Sequence, residues 1–167
     1  KVSPSIRLFS FLLNKQRLAP QVTINGIGHA VSIPAGVAPR PQLQAVDPVE
    51  SVKPSGDTVE VPLISLAFAR SGDKGNSSNI GVIARREEYL PYLRSEVSAE
   101  RVAAYLAHLV SGKVTRFDAP GISAMNFLCE EALGGGVAAS LRYDPWGKGM
   151  AQILLSMPVT VPRDLVK

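Results

Sequence analysis

The chain has very few of the side chains that build disulfides and metal sites. It contains one cysteine, Cys129, and two histidines, His29 and His108, among 167 residues. A single cysteine excludes an intrachain disulfide, which is typical of a cytoplasmic protein. The three side chains have none of the spacings of metal ligands, so we expect no metal site. Neither a P-loop nor a dinucleotide-binding glycine motif is present, so we expect no cofactor.

Aromatic residues and clustered charge are also scarce. Aromatics make up 6% of the chain and no basic run is interleaved with them, so we expect no nucleic-acid partner. No apolar run is long enough to span a bilayer, and we expect no membrane partner. The net charge of +4 is a mild excess that is compatible with a small anionic ligand. The hydrophobic fraction of 46% is typical of a globular domain.

One stretch is rich in small and polar side chains, and it reads Arg-Ser-Gly-Asp-Lys-Gly-Asn-Ser-Ser-Asn over residues 70–79. It separates two apolar segments, 61–69 and 80–84, that we predict to be strands. We therefore expect a loop at the end of a sheet, and loops on rigid elements often carry function. Gly72 and Gly75 allow the backbone to approach a ligand. The alternative is a soluble connection in which Gly and Asn form turns.

Asp73 and Lys74 place opposite charges side by side in this stretch, and with Asn126 they are the candidate catalytic residues. The two charged side chains are either an acid/base pair in a desolvated site or a structural ion pair. Alternatively, the backbone N–H groups of the stretch form a nest for phosphate or carboxylate. The candidate ligand-binding residues are Arg70, Ser71, Gly72, Gly75, Asn76, Asn79, Gly134 and Gly135.

The last two of these belong to a triple glycine, residues 134–136, directly after a predicted helix. Three glycines are more than a helix C-terminus needs. They either let the backbone pass close to a ligand or to the polar stretch, or they form a flexible turn.

The apolar periodicity of the C-terminal part predicts the order strand, strand, helix, strand, helix, strand, strand. A short additional helix is expected to end at Pro91, and Ser98 is the expected N-cap of the first main helix. This order favours an α+β fold, a ferredoxin-like sandwich with a mostly antiparallel sheet and two main helices on one face. The predicted helices cover 85–90, 98–111 and 123–133, and the later strands 114–117, 138–143 and 150–161.

The N-terminal part has a different character. Asn25-Gly26 between alternating apolar residues predicts a β-hairpin over 22–31. Five prolines between 34 and 57 predict an extended linker. We therefore predict three parts: an N-terminal segment with the hairpin at 1–33, a Pro-rich linker at 34–57 and a ferredoxin-like domain at 58–162.

Residues 70–85, RSGDKGNSSNIGVIAR, resemble the signature of the acyclic terpene utilisation (AtuA-like) protein family, in its C-terminal ferredoxin-fold domain. The resemblance covers about residues 58–162. Residues 1–33 are similar to the tail of the larger domain that usually precedes it. Further agreement is found at Glu100–Val102, Val114–Phe117, Asn126-Phe127, Ala132–Gly136 and Asp144–Lys148.

This resemblance implies a role in the breakdown of citronellol- or geraniol-like acyclic terpenes through CoA thioesters. The domain would be an accessory or catalytic module, and the resemblance carries over no catalytic residue with a known role. The partners it implies are the larger N-terminal domain and an acyl-CoA or another anionic small molecule. The alternative is a non-catalytic oligomerisation or docking domain, and we expect a homo-oligomer.

Overall fold

The computed structural model describes residue 9, residues 11–37 and residues 50–167. Half of the predicted linker, residues 38–49, and the start of the predicted N-terminal segment lie outside these ranges. The described residues fall into two compact units, one of residues up to 37 and the other of residues from 50 onward.

The first unit contains a β-hairpin, β1 Gln21–Ile24 and β2 Ile27–Ala30. Asn25 and Gly26 form its turn with φ of 51° and 81°, so the Asn-Gly prediction is confirmed. All eight strand residues are exposed.

The second unit contains six strands and three helices. Its strands are β3 Thr58–Pro62, β4 Ala67–Lys74, β5 Ser77–Ala84, β6 Val114–Ala119, β7 Ala124–Cys129 and β8 Pro158–Pro162. Its α-helices are α1 Leu90–Glu96, α2 Ala99–Tyr105 and α3 Met150–Leu155. Four strands form an antiparallel sheet in the order β4-β5-β7-β6, and β3 pairs with β8 in a second antiparallel sheet. The predicted α+β class is confirmed.

The two faces of the four-stranded sheet differ. One face is mostly apolar, with Ile80, Met125 and Phe127 fully or almost fully buried, and it packs against the helices. Because side chains alternate along a strand, the other face is formed by the intervening residues. We call it the open face, and it comprises Phe68, Arg70, Gly72, Lys74, Ser77, Asn79, Gly81, Ile83, Thr115, Phe117, Ala119, Ala124, Asn126 and Leu128.

The structure corrects the predicted bounds of strand 61–69 and of loop 70–79. A 3₁₀ turn at Leu63–Ser65 interrupts the predicted strand, between the end of β3 and the start of β4. The polar stretch is a hairpin, because β4 and β5 continue through it and leave only Gly75 and Asn76 as the turn. Gly75 has φ of 67°, which the first position of a type II′ hairpin turn requires.

Two helix predictions were also wrong. Instead of a helix that ends at Pro91, the structure has helix α1, which begins at Leu90 and contains Pro91 in its first turn. Proline is tolerated there because the N–H groups of the first turn have no intrahelical partner. Residues 124–129 of the predicted helix 123–133 form β7, whose buried Met125, Phe127 and Cys129 have the period of two of a strand.

The C-terminal strand predictions were partly wrong. Residues 138–143 form no strand, and the first part of the predicted strand 150–161 is α3. Its last part is β8, which pairs with β3. The N-cap prediction is confirmed, since Ser98 Oγ accepts the N–H of Arg101 at 3.2 Å, although α2 ends at Tyr105.

Candidate functional site

The polar hairpin distributes its charged residues over both faces of β4. Arg70, Gly72 and Lys74 belong to the open face, whereas Ser71 and Asp73 belong to the opposite face. Lys74 Nζ donates to the backbone oxygen of Asp73 at 3.0 Å. The carboxylate of Asp73 instead lies 3.9 Å from Nζ of Lys148. The side chains of Asp73 and Lys74 therefore do not form a close pair.

Two of the three candidate asparagines, Asn79 and Asn126, do come together. Asn79 Nδ2 donates to Oδ1 of Asn126 at 3.2 Å, across β5 and β7. The two residues are diagonal neighbours, because Asn126 pairs with Gly81 and Asn79 pairs with Leu128. Since Gly81 has no side chain, the amide pair lies beside an unfilled position near the middle of the open face.

Ser71 and Ser78 form structural hydrogen bonds on the helix-covered face. Ser71 Oγ donates to the backbone oxygen of Lys148 at 3.2 Å and accepts the N–H of Ala151 at 2.9 Å. Ser78 Oγ donates to the backbone oxygen of Gly72 at 3.0 Å. The hydroxyl of Ser71, a predicted ligand-binding residue, thus ties the start of α3 to β4.

The triple glycine packs against the hairpin turn. The backbone oxygen of Asn76 accepts the N–H groups of Ala132 and Leu133, both at 3.0 Å, and its Oδ1 accepts the N–H of Gly135 at 2.6 Å. A Cβ added to Gly136 would lie 2.9 Å from the backbone oxygen of Gly75. The prediction that these glycines let the backbone pass close to the polar stretch is confirmed.

Sequence reasoning missed Lys148 as a site residue. A Cβ added to Gly72 would lie only 3.0 Å from Nζ of Lys148, so the ammonium is in close contact with the position of the missing Cβ. The only signal in the sequence was a lysine between two glycines, Gly147 and Gly149. Its approach to β4 depends on tertiary packing, since the Ser71 hydroxyl that contacts its backbone oxygen belongs to a residue 77 positions earlier in the chain.

The open face combines cations with exposed apolar side chains. We call Arg70, Gly72, Lys74 and Lys148 the cationic corner. None of the residues that form the open face is acidic. Phe68, Ile83 and Phe117 are 55%, 44% and 53% exposed, and we call them the apolar patch. The guanidinium carbon of Arg85 lies 3.9 Å from the ring centroid of Phe68, a cation–π geometry that holds the ring.

The sequence model of one protein family, the AtuA ferredoxin-like domain, matches residues 61–160. The chain belongs to this family. The match includes all of β4 to β7 and the three helices, and it confirms both the resemblance and the ferredoxin-like fold. Comparisons with curated proteins and with solved structures find no match to the chain.

The arrangement of this AtuA ferredoxin-like domain is suited to binding. Its open face offers ammonium, guanidinium and amide donors, which are the groups that hold phosphate and carboxylate oxygens. In the described ranges, no three His, Cys, Asp or Glu side chains cluster so that they could hold a metal ion. No helix in the described part of the chain is long and apolar enough to cross a membrane.

A second charged cluster holds α1 against β6. Arg94 Nη1 lies 2.7 Å from Oδ1 of Asp118, and Arg116 Nη1 donates to the backbone oxygen of Arg94 at 2.8 Å. Arg116 Nε lies 3.6 Å from the same Asp118 oxygen. Nε of Arg94 is buried without a hydrogen-bond partner among the described residues. Because Arg94 Nη1 and Arg116 contact Asp118 and the end of α1, we assign the cluster a structural role.

Cys129 is expected to be unreactive in the folded protein. Its thiol is fully buried on β7, and burial raises its pKa to about 11. Because the thiolate is the nucleophile, a disulfide reagent at about pH 8 should label no thiol in buffer and one thiol in denaturant. Since the thiol keeps its proton more tightly in the folded state, its ionisation should reduce stability as the pH rises from about 9 towards 11. Rapid labelling in buffer would contradict this burial.

Proposed function

We propose that this domain is an acyl-CoA-binding module in the CoA-thioester-linked breakdown of acyclic terpenes. It would act in the cytoplasm, beside the larger domain of the same family. The observation that supports the proposal most is the open face, where the cationic corner and the apolar patch lie on one surface. An acyl-CoA has the same two halves, an anionic nucleotide and an apolar acyl chain.

The apolar patch provides the surface for the acyl chain. Phe68 and Ile83 are directly opposite each other on β4 and β5, and Phe117 lies on β6 opposite Asn126. Covering apolar area gains about 25 cal/mol per Å². A branched terpenoid chain would cover more of these side chains than a short acyl chain, and it should bind more tightly.

The amide pair provides the polar centre of the proposed site. Asn126 accepts the hydrogen bond from Asn79 through Oδ1, so its own Nδ2 group keeps donors for a ligand. We propose that Asn126 donates to the thioester carbonyl, the role closest to catalysis that the geometry supports. Lys74 and Asp73 would influence the site through charge, and Asp73 only through Lys148.

We expect citronellyl-CoA to bind the 167-residue chain saturably, as measured by isothermal titration. Asn126→Ala should weaken this binding about three- to tenfold, because one hydrogen bond of about 1 kcal/mol is lost. Gln152→Ala is the matched control, since Gln152 is an exposed amide on α3 and should leave the affinity unchanged. Absence of binding both by this chain and by the chain joined to the larger domain would reject the proposal.

A second candidate function is assembly, and the exposure of Phe68, Ile83 and Phe117 favours it. An uncovered sheet face with three large apolar side chains is also suited to contact a second copy or the larger domain. Sedimentation velocity at rising concentration tests self-association. A dimer that Phe117→Ser dissociates would support assembly, and a monomer at every concentration would remove homo-oligomerisation.

A further inference from the structure

We infer that Arg70, Lys74 and Lys148 form a phosphate-binding site around Gly72, and that this site takes the phosphate groups of a nucleotide-bearing ligand. The choice of coenzyme A as that ligand rests on the proposed function. The assignment of the phosphate site rests on the geometry of β4 and of the loop that carries Lys148.

Gly72 makes the site possible. Its φ lies outside the left-handed region, so the backbone does not require glycine here. Glycine inside a strand is unfavourable and often marks a close approach of another group. That group is the ammonium of Lys148, 3.0 Å from the position of the absent Cβ, and Gly72 is buried although it belongs to the open face.

The backbone of Lys148 is fixed while its side chain remains accessible. Its N–H donates to Oδ1 of Asp144 at 2.9 Å, the next N–H, of Gly149, donates to Oδ2 at 2.7 Å, and its carbonyl accepts from Ser71. The side chain is 60% exposed, and its ammonium lies against Gly72. The carboxylate of Asp73, 3.9 Å away, is the one acid paired with it in the described residues.

The spacing of the cations indicates more than one phosphate group. Arg70 and Lys74 are each two residues from Gly72 on the same face, which places their Cα atoms about 13 Å apart, with Lys148 reaching in between. Asn79 pairs with Gly72 across the hairpin, so β5 adds a side-chain amide to the same face, next to Gly72. Three cations spread over this distance suit a diphosphate and a separate phosphate, as in coenzyme A, better than one phosphate ion.

The test is titration of the full chain with coenzyme A, dephospho-coenzyme A and pantetheine. We expect the affinity to fall in that order as phosphates are removed, and to fall with rising salt. Lys148→Gln should weaken coenzyme A binding about tenfold. Gly72→Val should do the same, because the new side chain displaces the ammonium while valine is favoured in a strand. Lys53→Gln, at an exposed lysine outside the sheet, is the control and should change nothing.

The outcomes separate this inference from the proposed function. Wild-type affinity for coenzyme A in folded Lys148→Gln and Gly72→Val would overturn the phosphate site, even if citronellyl-CoA still bound. Loss of coenzyme A binding in both variants, with no gain in affinity from the terpenoid acyl group, would support the phosphate site and overturn the acyl assignment. A single-stranded oligonucleotide that binds more tightly than coenzyme A would overturn the small-ligand assignment, since exposed aromatics on a sheet also stack bases. Thermal unfolding of each variant confirms that it is folded.

Discussion

Gly136→Ala is expected to lower the free energy of unfolding by ~2–5 kcal/mol, the sum of backbone strain and steric overlap. Gly136 has φ of 87°, a conformation that alanine rarely adopts. The added Cβ would also lie 2.9 Å from the oxygen and 3.1 Å from the carbonyl carbon of Gly75. These are backbone atoms of the β4–β5 turn, so they cannot rotate away as a flexible side chain would. Urea unfolding followed by far-UV circular dichroism measures the change.

Two other glycines separate the contributions of strain and overlap. Gly56 has φ of 77° but open space around a Cβ, so Gly56→Ala should cost only the ~1–2 kcal/mol of the backbone conformation. Gly121 has neither a positive φ nor a close neighbour, and Gly121→Ala should change stability by less than ~0.5 kcal/mol. If Gly136→Ala were no more destabilising than Gly56→Ala, the contact between the triple glycine and the hairpin turn would be contradicted.

The features that could be predicted from the sequence depend on short-range signals. The Asn25-Gly26 turn needs two positive φ values in adjacent residues, and Ser98 caps a helix through the N–H three residues later. Both depend on neighbours along the chain. The α+β class was predictable for a related reason, since it requires only that strands and helices do not alternate strictly.

The failed predictions concern segments whose periodicity fits two structures. Ala124, Phe127 and Leu128 have helical spacing, whereas Met125, Phe127 and Cys129 have strand spacing. Pairing with β5 on one side and β6 on the other decides in favour of the strand, and that pairing is not visible in the local sequence. The sequence pattern alone was ambiguous.

The candidate site was partly predictable for a different reason. Asn79 was identified as a member of the polar stretch and Asn126 as a candidate catalytic residue, and the sheet brings them into hydrogen-bonding distance. Asp73 and Lys74 are sequence neighbours, but a strand directs neighbours to opposite faces, so their adjacency did not predict a shared site. Lys148 could not be found because its approach to Gly72 depends on the docking of a distant loop.

Phe127→Ala is expected to lower the free energy of unfolding by ~3–5 kcal/mol, a large part of the stability of a domain of this size. Phe127 is fully buried on the helix-covered face of β7, opposite Ile80 of β5. Removing its ring leaves a cavity that the packed helices and strands cannot fill. If the alanine variant does not fold, Phe127→Leu keeps the prediction measurable, because it removes less volume and should still be clearly destabilising.

Phe117 is the matched control, because it is the same residue type on the adjacent strand, on the opposite face of the sheet. It is 53% exposed, so Phe117→Ala should lower stability by less than ~1 kcal/mol. Because Phe117 belongs to the apolar patch, its loss should weaken binding of citronellyl-CoA and leave binding of free coenzyme A unchanged. Phe127→Leu should do the reverse, with lower stability and unchanged affinity of the folded protein for both ligands.

Equal losses of stability in Phe127→Ala and Phe117→Ala would contradict the division of the sheet into a buried face and an open face. A Phe117 variant with full affinity for citronellyl-CoA would remove the apolar patch from the proposed site.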